Sequence, residues 1–76
     1  MTTNKIPETF RGLSVGAKPE VIQNRFSGES VELDPVAVAM YDAIMGAERL
    51  ELYDMMQEGL AWFRKYHPKA FMTLLD

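Results

Sequence analysis

Asp34-Pro35 divides this chain into two stretches that obey different rules. An aspartate followed by proline opens an α-helix. The carboxylate accepts from the orphan amides of the first turn, and proline suits the first helical position, where no N–H is needed. Leu33 and Val38 stand where a hydrophobic staple closes. Ahead of that step, Pro7, Gly12, Gly16, Pro19 and Gly28 interrupt a sparse scatter of apolar residues; behind it, a dense apolar run continues to the last residue. The expected fold is therefore mainly α: a small helical domain over residues 34–76 with two principal helices and a short C-terminal one, and an irregular or partly extended N-terminal third over residues 1–33.

The first helix is expected from Pro35 to about Arg49. Between residues 35 and 47 only Asp42 is charged, and a helix apolar nearly all the way round is buried on more than one side. Ala37, Ala39, Ala43, Gly46 and Ala47 are small enough to admit close neighbours. In so short a chain a second copy is the economical cover for the second side. Asp42 itself reads as the solvated edge of this helix, with an interface ion pair to Arg25 or Arg49 as the other reading.

The second helix is expected from about Leu52 to Tyr66. Leu52, Met56, Leu60 and Phe63 share one stripe, with Tyr53 on one flank and Met55, Trp62 and Tyr66 on the other; Asp54, Gln57, Glu58, Arg64 and Lys65 fill the opposite half. Gly59 falls near the middle of the apolar arc, where it costs about 1 kcal/mol relative to alanine, so a close backbone approach is expected there. Pro68 ends this helix and opens a short one to residue 76, whose Phe71, Leu74 and Leu75 fold back on the second helix.

The first 33 residues are less regular. Residues 1–17 follow no helical or strand period, yet Ile6, Phe10, Leu13 and Val15 are more apolar than a solvated tail needs. Part of this arm is expected to lie against the helical body or a partner. Residues 18–33 read either as a short helix from Pro19 through Phe26 or as two strands, Val21–Arg25 and Ser30–Leu33, around a Ser27-Gly28 turn, with extended structure preferred.

Seventy-six residues bury only a small core, and a domain of this size needs help from disulfides, metal or self-association. There is no cysteine and a single histidine, His67, so helix packing or oligomerisation is what remains. The first residues lack the apolar core of a signal peptide, and no run approaches the roughly 20 residues of a membrane span. The chain is thus expected to be soluble and not bound to membrane. Its net charge of −3 lies entirely in the helical part, which makes nucleic acid an unlikely partner, because phosphate neutralisation supplies most of that affinity.

No catalytic motif is present: no Gly-rich phosphate loop, no nucleophile elbow, no His pair. Asp54 and Glu58, carboxylates at i, i+4, are the one conceivable metal pair and read as a solvated face. An enzyme is not expected, and no cofactor. The residues singled out for interaction are Trp62, on the edge of its stripe and the first choice as an interface anchor, with Met55 beside it. Met40, Tyr41 and Met45 of the first helix join them, methionine being adaptable at binding surfaces. Arg64, Lys65 and Lys69 cluster near the end of the second helix, where the macrodipole favours positive charge; contact with an acidic partner is the alternative use.

Residues 24–76 resemble small proteins of tailed bacteriophages of marine bacteria, cyanophages above all. The likeness rests on NRFSG (24–28), on the Leu-x-Pro-x-x-x-Ala-x-Tyr-Asp opening (33–42) and on the WFRKYHPKAF…LLD ending (62–76). It brings no activity and no functional residue; it implies a phage product acting in the cytoplasm of a bacterial host or in the virion. The expectation is a non-enzymatic helical module that forms homo-oligomers and binds a host or phage protein. The alternative is a helix-turn-helix module, with a turn near Gly46 and Arg49–Glu51 and with Arg64, Lys65 and Lys69 on phosphates.

Overall fold

The computed structural model describes residues 6–10 and 12–75; the start of the expected arm, residues 1–5, and the C-terminal residue, Asp76, lie outside them. A 3₁₀ turn at Glu8–Phe10 leads through irregular chain to strand β1, Glu20–Gln23, and strand β2, Ser30–Leu33. Three helices follow: α1 at Pro35–Arg49, α2 at Tyr53–Tyr66 and α3 at Pro68–Leu74. The architecture is mainly helical, with a two-stranded antiparallel sheet that a purely helical description leaves out. Of the two readings of residues 18–33, the structure has the extended one.

The step at Asp34-Pro35 is built as its residue types require. Asp34 is extended, and its Oδ1 accepts from the Ala37 amide at 2.8 Å, a cap worth about 1 kcal/mol. Leu33, the last residue of β2, is buried, so the strand ends in the core and the helix starts at its surface. Asp42 is exposed, the solvated edge of α1.

The junction of α1 and α2 is a Schellman turn. The Leu52 amide donates to Ala47 carbonyl (2.8 Å) and the Glu51 amide to Glu48 carbonyl (3.1 Å). This geometry needs a left-handed residue after the cap, and Glu51 supplies it at φ 60°. Glycine is the usual occupant, because a Cβ there crowds the carbonyl.

The core gathers Phe10, Leu33, Ala37, Met40, Ile44, Trp62, Phe63 and Ala70, drawn from every part of the chain, with Ile6 and Leu13 of the arm packed against it. The arm thus lies on the helical body. Phe71, Leu74 and Leu75 also pack on this cluster, which holds α3 although a helix so short does not persist alone. Gly59 is buried, and a Cβ built on it would overlap Ile44 Cγ1 and meet Phe10 Cζ at 3.1 Å. The close approach expected at Gly59 is therefore between α2 and the Ile44 side chain of α1, with Phe10 of the arm over both.

Replacing Glu51 by glycine relieves the left-handed strain without removing a buried contact, because Glu51 is exposed. Glu51→Gly is expected to stabilise the fold by about 1 kcal/mol, read as an upward shift of the urea midpoint at unchanged slope. A lower midpoint would contradict the turn assignment.

Candidate functional site

The β1–β2 hairpin turns through the six residues 24–29, organised by one side chain. Asn24 Oδ1 accepts from the amides of Phe26 (2.8 Å) and Ser27 (3.3 Å), and its Nδ2 donates to the Thr73 carbonyl near the end of α3 (2.9 Å). Gly28, at φ 81°, closes the loop by donating its amide to the Asn24 carbonyl (2.8 Å). Asparagine suits this place because its amide mimics a backbone turn while its other end remains free to donate. The tip is consequently fixed both to itself and to the helical body. It holds Phe26 out in solvent at 91% exposure, with the Arg25 guanidinium 5.7 Å from the ring centre.

Beneath that tip lies a groove of about 780 Å³. Residues 22–26 form one wall, and Tyr41, Met45, Met56, Leu60 and Leu74 from the three helices supply apolar lining. Arg25, Glu48 and Arg49 bring charge of both signs to it. A second, shallower hollow of about 440 Å³ lies where Ile6 and Pro7 meet α2 at Glu58, Trp62, Lys65 and Tyr66.

The residues expected to carry interaction divide between these places and the core. Tyr41 and Met45 are half-buried and line the groove. Met55 is half-buried against the core and borders neither hollow. Met40 has no exposed surface, so it is a core residue and not a binding one.

Trp62 requires the same correction: at 4% exposure it is no surface anchor. Its angular position on α2 lies off the stripe that faces α1, but α2 has other neighbours. The arm at Ile6 and Pro7 comes up beside it. The ring also packs edge-on to Phe63 at 5.1 Å and against Tyr66 and His67 at 5.7 and 5.2 Å. The buried arc of α2 is thus wider than a helix facing a single neighbour requires. The Trp62 indole N–H is buried with no hydrogen-bond partner among the described residues.

Arg64, Lys65 and Lys69 are exposed. Arg64 lies over the Phe71 ring at 5.6 Å and Lys65 over Tyr66 at 5.2 Å, so two of the three cations are seated on aromatic faces of their own chain. Asp54 and Glu58 are exposed too, and Glu58 accepts a hydrogen bond from the Thr9 hydroxyl. Among the described residues no three His, Cys, Asp or Glu side chains converge on one point, and no helix is long and apolar enough to cross a membrane.

The residue that sequence reasoning passed over is Phe26; Arg25 and Arg49, weighed there as partners of Asp42, line the groove. The available signal was Asn24 two residues ahead of an aromatic in a turn. In a helical reading, however, Phe26 falls on an inward face with Val21 and Ile22. No protein-family model, curated protein or solved structure matches this chain.

The new placement of Trp62 makes a sharp expectation. Trp62→Ala should remove about 3–5 kcal/mol of fold stability, enough to abolish the helical circular dichroism of so small a domain. Trp62→Phe keeps an aromatic ring, smaller than the indole, and removes the orphaned N–H, whose desolvation is itself unfavourable; it should retain the helical signal. Native helicity in Trp62→Ala would return the residue to the surface.

Proposed function

We propose that this chain is a non-enzymatic interaction module that self-associates through the hairpin tip and the groove beside it. The observation that carries the reading is Phe26. An aromatic ring left almost wholly in solvent on a hydrogen-bonded turn contributes no burial to an isolated monomer. It suits a binding anchor, because aromatic residues contribute large contact area and dominate interface energetics. The turn is held by hydrogen bonds from Asn24 to Phe26, Ser27 and Thr73, so ordering it on binding costs little.

The groove supports the same reading. Its lining is rich in methionine and leucine, and its charges are of both signs, which lets opposite charges meet when the surface faces its own copy. The wider apolar exposure, with Leu50 at 70% and Met72 at 68%, leaves room for contact with a further protein. In keeping with the likeness to small phage proteins, we assign the module an accessory role, binding a host or phage protein in the bacterial cytoplasm or in the virion.

Phe26→Ala tests the reading because Phe26 contributes nothing to the core. Fold stability should stay within about 0.5 kcal/mol, while self-association weakens by about 2 kcal/mol or more, roughly 30-fold in Kd. Sedimentation equilibrium over a range of concentrations measures both proteins. A wild-type chain that remains monomeric throughout, or a variant with unchanged Kd, would contradict the proposal.

A further inference from the structure

The sheet has two edges: β2 packs against α3 and α1, while β1 is left with an open edge whose geometry says what fits it. In an antiparallel ladder, alternate residue pairs exchange both backbone hydrogen bonds, and the residues between them point their N–H and C=O groups away. The register pairs Glu20 with Leu33, Val21 with Glu32, Ile22 with Val31 and Gln23 with Ser30. The Asn24 amide donates to the Glu29 carbonyl at 2.7 Å, so Asn24/Glu29 is a bonded position. Counting back by two, Ile22 and Glu20 are bonded to β2 as well. Val21 and Gln23 therefore turn their backbone groups outward. Among the described residues those groups have no partner, and Val21 is 67% exposed.

Deepening the self-association reading, on which this step rests, we infer that β1 pairs antiparallel with β1 of a second copy across a two-fold axis, giving one four-stranded sheet. Two-fold symmetry restricts the register to very few choices. Placing Ile22 opposite the partner's Ile22 sets Val21 opposite the partner's Gln23, and the reverse, so every outward backbone group of the strand is satisfied. A shift that centres the axis on Val21 puts Pro19, which has no N–H, opposite Gln23 and loses a bond. A shift that centres it on Gln23 runs past the strand into the turn at Arg25.

Two observations favour a second copy as the occupant. In the Ile22-centred register Glu20 meets the partner's Asn24, beside Arg25, and no like charges face each other, as stable pairing demands. Ile22 and Asn24 belong to the groove wall, and paired residues lie on one face of a sheet. The added strand thus extends the sheet over the groove with the partner's Ile22 on the groove side.

The chain has no cysteine, so a single Ile22→Cys is a clean probe. In a non-hydrogen-bonded antiparallel pair the two Cα atoms lie about 4.5 Å apart, within disulfide range. Under mild oxidation Ile22→Cys should form a covalent dimer in high yield. As a second test that leaves every side chain unchanged, N-methylation of the Val21 amide in a chemically assembled chain should weaken dimerisation at least about tenfold without loss of helicity, since that N–H is not used inside the protomer. If the dimer keeps its Kd after N-methylation and Ile22→Cys does not cross-link, the strand pairing is wrong while self-association stands. A wild-type chain monomeric at all concentrations removes both.

Discussion

The structure depends on one close approach, that of the Ile44 side chain to the backbone of α2 at Gly59. With no Cβ at Gly59, α1 seats its isoleucine against the bare turn, and Phe10 covers both. Everything else follows from that distance. α1 and α2 sit near enough for their large residues, Met40 and Phe63, to be wholly enclosed. α3 and the arm then close the flanks, Trp62 being buried on that side. A domain this small has few such enclosed positions, so each one contributes a large part of its stability.

The same economy explains the surface. With the inner faces of three short helices spent on one cluster, the outer sides of Met45, Tyr41, Leu60 and Leu74 are left half-covered beside the hairpin. The hairpin gives β2 to the core through Leu33 and leaves β1 with an edge that is unpaired among the described residues. Its tip holds Phe26 in solvent, with Asn24 bridging to Thr73. Groove, edge and anchor are therefore contiguous, and they share one feature: apolar surface and backbone that the described residues leave uncovered. Self-association is the physical answer proposed for that uncovered surface.

The helical part was largely legible in the sequence because its boundaries are set by local chemistry. Asp34-Pro35 and Pro68 start helices through capping and missing amides, and α1 and α3 begin where those residues place them. The α1–α2 junction was legible too, since α1 ends at Arg49 and α2 starts one residue after Leu52, but the form of its turn was hidden because the left-handed position carries Glu51 and no glycine. Trp62 was misplaced because a helical wheel measures angle from one neighbour, and α2 has several. Phe26 was missed because its exposure comes from the Asn24 turn, a set of hydrogen bonds that apolar periodicity does not register. Met40 shows the reverse: a flexible, adaptable side chain in composition, yet fully enclosed by the geometry of the core.

The measurement that bears most directly on this account is the stability of Gly59→Ala, because helix propensity and packing predict opposite signs. In an open helix the change stabilises by about 1 kcal/mol. Here the added methyl must displace Ile44, with Cδ1 only 2.9 Å away, and overpacking of this kind costs about 1–3 kcal/mol. Urea denaturation should show Gly59→Ala less stable than the wild type, and in an Ile44→Ala background the same substitution should turn neutral or stabilising. A Gly59→Ala protein more stable than the wild type, with Ile44 intact, would contradict the claim that this contact sets the core.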